Sequence, residues 1–147
     1  MELKLPPPLV ALICAMIIYF LPNYEETNWV YRCFAVLCFS FGVVVDLCAL
    51  WAFWKNKTTI NPLDPNKTSA LTREGIYRFT RNPMYLGLVC LLLTWTFWLG
   101  NAFALLIVWG FIAYITRFQI KPEEQILAQK FGKIYQDYCQ KVPRWLW

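Results

Sequence analysis

The chain has 147 residues, 59% hydrophobic, 18% aromatic and only 16% charged, with fourteen lysines and arginines against nine acids and a formal net charge of +5. A soluble domain carries roughly 45–50% apolar and about 25% charged residues, so this composition excludes an ordinary soluble domain. There is no histidine, and the six cysteines show neither a zinc spacing nor a disulfide framework. No metal and no nucleic-acid partner is expected, because the basic surplus is confined to the segments between apolar blocks.

Taken in chain order, an apolar run predicts a first helix over about 7–21, stopped by Pro22, which cannot continue it. Lys4 precedes this run as in a secretory signal, but Pro6-Pro7-Pro8 opens it and no small-x-small cleavage site follows before Asn23, which favours a retained helix. A second helix is expected over about 28–54, with tryptophans at both ends and only Arg32 and Asp46 charged between Trp29 and Trp54. The segment 55–82 reads as a loop, turn-rich at Asn61-Pro62 and Asp64-Pro65-Asn66, with a helical turn around residues 73–80. Pro83 suits the first position of a third helix over 83–99, and Gly100-Asn101 suits a tight turn into a fourth over about 102–120. After Pro122, apolar Ile126, Leu127, Phe131, Ile134, Tyr135 and Tyr138 at spacings of three and four predict one amphipathic helix over about 122–141, able to lie on a membrane surface.

The expectation is therefore all-α: one integral membrane domain of four transmembrane helices with a C-terminal amphipathic helix. Orientation follows from lysine and arginine. Beyond Lys4 and Arg32, all of them fall between Lys55 and Arg81 or from Arg117 onward, whereas Glu25 and Glu26 follow helix 1. Both termini and the loop 55–82 are then cytoplasmic, and that basic face suits anionic lipid headgroups. Asn56-Lys57-Thr58 and Asn66-Lys67-Thr68 fit the glycosylation pattern but lie on the cytoplasmic side of this topology, which discounts them.

Two ionic clusters stand where apolar runs meet polar sequence. Arg78 and Arg81 precede helix 3; Arg117, Lys121, Glu123 and Glu124 close helix 4. Arginines at cytoplasmic helix ends fix topology, and acids at a helix start are favoured by its dipole by about 0.3–1 kcal/mol. The two clusters together, at neighbouring helix ends, instead suggest a site for a charged small molecule at the bilayer edge. Gly87 fits close helix packing. Asp46 is the one acid inside a predicted span; it is expected either to act in function or to pair structurally, with an arginine or with Thr94 or Thr96.

Leu71-Thr72-x-x-Gly75-Ile76-Tyr77-x-x-x-Arg81-Asn82-Pro83-Met84-Tyr85-x-Gly87, followed by Glu123-Glu124-x-x-Leu127-x-x-x-Phe131-Gly132-x-x-Tyr135-x-x-Tyr138-x-x-x-Val142-Pro143-Arg144, resembles the isoprenylcysteine carboxyl methyltransferase family, related to the phospholipid N-methyltransferases. The resemblance covers roughly the second half of the chain. It implies an integral membrane methyltransferase that uses S-adenosylmethionine on the cytoplasmic side and takes a lipophilic small-molecule or lipid acceptor from the bilayer. Carried over by position, the cofactor contacts are Leu71, Thr72, Tyr77, Arg81, Asn82, Pro83, Tyr85, Glu123 and Glu124, with Arg117 and Lys121 as candidates at the reacting end. Two departures bear on chemistry. Asn82 stands where the family often has histidine, and Gln119 aligns with the arginine that holds the substrate carboxylate in the carboxyl methyltransferases. A sterol-reductase-like membrane enzyme, or a small transporter or assembly subunit using Asp46, are the alternatives left open.

Overall fold

A computed structural model describes residues 5–22, 28–55 and 71–146. The acids Glu25 and Glu26, the two glycosylation patterns and the turn signals between Asn61 and Asn66 lie outside the described residues. Within them the elements are α1 (Pro7–Phe20), α2 (Trp29–Lys55), a 3-10 turn (Gly75–Arg78), α3 (Pro83–Leu99), α4 (Ala104–Ile115), a π-helical turn (Thr116–Ile120), α5 (Lys121–Phe131) and α6 (Lys133–Lys141). The all-helical expectation stands.

α3 is the central helix, in contact with α1, α2 and α4. Its pairing with α2 is close because small residues meet there. A Cβ on Gly42 would lie 2.8 Å from that of Cys90, and one on Gly87 would collide with the Asp46 carboxylate. Asp46 thus packs on the Gly87 backbone. Neither expected threonine is its partner: Thr94 donates to the Cys90 carbonyl at 2.8 Å, and the buried Thr96 Oγ1 has no partner among the described residues. On the other flank of α3, Val89 and Leu92 share a core with Ile18, Val108, Phe111 and Ile115. At one end of the bundle, Asn101 Nδ2 donates to the Pro22 carbonyl at 3.0 Å, and the rings of Tyr31 and Phe97 lie 6.3 Å apart. The loop residues 71–82 and helices α5 and α6 gather at the opposite end.

Two helical stretches are long and apolar enough to cross a bilayer, Trp29–Ala52 and Ala104–Phe131. Burial within the protein does not account for their apolar character, since only 22% and 33% of their most apolar windows are buried. Phe34, Leu37, Leu47, Trp51, Leu106 and Trp109 all face outward, as lipid-facing side chains do. The chain is a membrane protein. The expectation of four spanning helices is met in part: α1, at 14 residues, and α3, at 17, are apolar but reach only about 21 and 26 Å at 1.5 Å per residue, short of a roughly 30 Å hydrocarbon core.

The end of the chain departs from expectation twice. Helix 4 does not stop before Pro122; it runs through the π-helical turn Thr116–Ile120 directly into α5. Proline lacks the N–H that would bond one turn back, and its ring clashes with that carbonyl. A widened turn immediately before it relieves both conflicts without ending the helix. The single helix expected over 122–141 is in fact two, divided at Gly132 with φ 54° and ψ −128°. The break resets the helical phase. Tyr135, Tyr138 and Val142 therefore turn inward, packing with Leu71, Leu127 and Phe131, while Ile134, expected on the same face, is exposed.

Candidate functional site

The site forms where α3 begins and α5 continues α4. Glu123 stands roughly 28 Å along the axis from Ala104 at 1.5 Å per residue, about the depth of a hydrocarbon core. The two neighbouring glutamates have opposite environments. Glu123 Oε1 accepts from the Tyr85 hydroxyl at 2.7 Å and from Gln119 Nε2 at 3.0 Å, both neutral donors. Glu124 is held by cations. Arg144 donates from Nε at 2.9 Å and Nη2 at 2.6 Å in a two-pronged fork, and Arg81 Nη1 lies 3.1 Å from Oε1. Arg81 Nη1 also donates to Cys139 Sγ at 2.7 Å. Two guanidinium groups on one carboxylate leave a formal surplus of one positive charge at Glu124, whereas the hydrogen-bond partners of Glu123 are neutral.

Arg81, Lys121, Glu124, Tyr135, Cys139 and Arg144 line an open groove of about 510 Å³, within the range of small-molecule sites. Three cations and one acid among these residues make it electropositive. Behind it, Tyr138 donates from its hydroxyl to the Tyr77 carbonyl at 2.7 Å. Burial pushes both phenols up from their ordinary range, so they remain protonated. The Arg144 guanidinium is likewise raised, chiefly by its hydrogen bonds to Glu124.

The segment after α6 folds back over the loop before α3. Arg81 N–H donates to the Pro143 carbonyl at 3.1 Å. Thr80 Oγ1 and Asn82 Nδ2 both donate to the Arg144 carbonyl, at 3.2 and 2.9 Å. Trp145 Nε1 donates to Thr116 Oγ1 at 3.2 Å.

The chain matches the phospholipid methyltransferase family over residues 30–134, well over half its length. It belongs to that family. An uncharacterized protein of Haemophilus influenzae is 56% identical over 63 residues, 43% of this chain and all of that protein. The protein-S-isoprenylcysteine O-methyltransferase of Dictyostelium discoideum is 28% identical over 134 residues, 84% of this chain and 52% of that enzyme, so the chain spans about half its length. The Delta(14)-sterol reductase TM7SF2 of Mus musculus is 29% identical over 102 residues, 60% of this chain and 24% of that enzyme. No solved structure gives a significant match.

Of the residues expected at the site of this phospholipid methyltransferase family member, Arg81, Lys121 and Glu124 line the groove, while Tyr85 and Glu123 form the neutral-donor cluster beside it. Leu71 packs on the tyrosines of α6, Thr72 is buried, and Pro83 is fully buried as the first residue of α3. Asn82 reaches the Arg144 carbonyl. Arg117 is exposed on the π-helical turn and is not among the groove residues. Arg144, Tyr135 and Cys139 were not expected as site residues. Arg144 stood in the motif, and its pairing with Glu124 was legible only as opposite charge. Nothing in the sequence marked Cys139.

Proposed function

We propose that the chain is an S-adenosylmethionine-dependent membrane methyltransferase acting on a lipophilic or lipid-like acceptor at the cytoplasmic face. Family membership supports the reaction class. The observation that carries the cofactor reading is the pair of adjacent glutamates with opposite surroundings. The methionine end of that cofactor is a zwitterion beside a sulfonium, and a cluster offering surplus positive charge at Arg81 and Arg144, next to a Glu123 carboxyl met by neutral donors and open to a cationic partner, is complementary to it. The donor set fits in a second respect. Thr72 Oγ1 and Arg81 Nε are buried without a hydrogen-bond partner among the described residues, and such groups are costly unless a ligand or water meets them.

When bound, S-adenosylmethionine supplies a methyl group already activated for in-line displacement. The residues then have only to bind, align and exclude water. Glu123, oriented by Tyr85 and Gln119, attracts cationic groups and is the cluster's acceptor for a proton shed by an amine, since Tyr77 and Tyr138 stay protonated and the chain has no histidine. Gln119 is buried and donates to Glu123, so that position brings no cation to clamp a carboxylate acceptor. Lys121 on the groove is the nearer candidate of the two cations first considered. The topology proposed with this function is a single domain with four crossings and both termini cytoplasmic; α1 and α3 cross where lipid thins around them or flanking residues reach the interface.

Calorimetric titration with S-adenosylmethionine in lipid nanodiscs tests the proposal. Saturable binding that Glu123→Ala abolishes supports it, and no binding to well-folded protein refutes it. The sterol reductase match favours a second reading, a sterol-reductase-like membrane enzyme, which would need a hydride donor. Binding of a reduced nicotinamide dinucleotide in place of S-adenosylmethionine would establish that alternative.

A further inference from the structure

We propose that Asn82 is a positioning residue: its amide clamps the segment Pro143–Trp145 against the groove and thereby sets the Arg144 guanidinium on Glu124, and it does not itself meet a ligand. The inference uses the methyltransferase reading only for the choice of probe.

Asn82 occupies the residue before α3, where asparagine ordinarily turns its side-chain oxygen onto the free N–H groups of the first turn. Here it makes no such bond. Pro83 follows it and lacks one of those N–H groups, which lowers the demand for a cap. The Asn82 amide is turned instead to the Arg144 carbonyl at 2.9 Å. Thr80, fully buried, donates to the same oxygen at 3.2 Å and also receives the Asn82 N–H at 3.2 Å. Both lone pairs of that carbonyl are therefore taken by one short loop. The next carbonyl back, Pro143, takes the Arg81 N–H, and the next side chain forward, Trp145, is anchored to Thr116.

Fixing the backbone on both sides of Arg144 fixes where its fork can reach, and the fork spans both oxygens of Glu124. A bidentate contact tolerates little displacement. The Arg81-Asn82-Pro83 and Pro143-Arg144-Trp145 segments, 62 residues apart in sequence, thus form one assembly. Arg81 touches Glu124 from one side, and Asn82 delivers Arg144 from the other.

The test uses full-length protein in nanodiscs and two readouts. Lys141 is exposed at the end of α6, but a protease needs the backbone it cuts to be extended and free, so the rate of trypsin cleavage after Lys141, followed by mass spectrometry, is expected to follow the lifted population without any cofactor. Calorimetry with S-adenosylmethionine reports the groove. Asn82→Leu keeps the size and removes the donor. It is expected to speed cleavage and weaken binding, each on the order of tenfold, about the worth of one such hydrogen bond. Asn82→His, whose ring N–H can donate to the same carbonyl, is expected to restore both. Arg144→Gln added to Asn82→Leu is expected to weaken binding no further, because both act through the same contact.

Weakened binding with cleavage at the wild-type rate, and losses that add with Arg144→Gln, would overturn the proposal and make Asn82 a ligand contact. Cleavage unchanged by Asn82→Leu overturns it in any case. Should Asn82→Leu not fold, Thr80→Val removes the other donor to the same carbonyl and carries the same expectations. If wild-type protein binds no S-adenosylmethionine, the methyltransferase reading fails, while the cleavage readout still decides the clamp.

Discussion

Replacing Glu124 with glutamine tests whether the paired arginines depend on this one carboxylate. The Glu124 and Arg81 side chains are 17% and 12% exposed, whereas Arg144 is 32% exposed. Removing one partner of a buried ion pair costs about 3–5 kcal/mol, and an exposed pair contributes about 0–1 kcal/mol. The Arg81 contact stands near the first case and the Arg144 contact nearer the second. Glutamine keeps one carbonyl oxygen for a guanidinium but leaves two positive charges with no carboxylate between them. A loss of about 2–4 kcal/mol is expected for Glu124→Gln. Arg144→Gln leaves Glu124 paired with Arg81 and is expected to cost only about 1 kcal/mol. Unfolding in mixed micelles, followed by tryptophan fluorescence, gives both values. The reasoning fails if Arg144→Gln proves as costly as Glu124→Gln, or if neither moves the transition.

Tyr85→Phe removes the 2.7 Å bond to Glu123 and is expected to weaken S-adenosylmethionine binding by up to about tenfold, the worth of one hydrogen bond; calorimetry checks it. Gly87→Ala drives a methyl group into the Asp46 carboxylate and is expected to cost about 1–3 kcal/mol. Asp46→Ala in the same chain should recover most of that loss, as measured in the micelle unfolding assay. Gly132→Ala meets no neighbouring atom but must hold φ 54°, and is expected to cost about 1–3 kcal/mol from backbone strain alone, seen as a lowered melting temperature.

The sequence was most legible where one local rule decided the outcome. Pro83 and Gly100 bound α3 as expected, and the uncharged run between them left no other reading. The breaks beyond Pro122 were harder. Proline signals a helix start and also a distortion within a continuing helix, and only the packing of Ile120 and Gln119 against the bundle selects the second. Gly132 was visible as a residue, but the apolar spacing ran smoothly across it, so the phase change that exposes Ile134 could not be read. At the site, charge pattern located Arg81, Glu123 and Glu124. It could not say that one glutamate would be met by arginines and its neighbour by a phenol and an amide, since Arg81 and Tyr85 come from around the start of α3 and Arg144 from beyond α6, and only Gln119 is local to Glu123.

The π-helical turn bears on that difference. Buried positions on the last membrane helix fall at Ala104, Val108, Phe111, Ile115 and Gln119, at spacings of three and four, and the π-helical turn buries Ile120 beside Gln119. Successive residues of a regular α-helix are about 100° apart, so burying Ile120 as well as Gln119 widens the inward stripe by up to about that angle. An unbroken α-helix would carry the stripe from Ile115 through Gln119 to Glu123 and turn Glu124 aside. With the stripe widened over Gln119 and Ile120, the next turn directs Glu123 to Tyr85 and Glu124 to Arg81 and Arg144. Two adjacent carboxylates can then meet two different sets of partners. Pro122, by disfavouring a regular helix at this point, favours the arrangement on which the proposed chemistry depends.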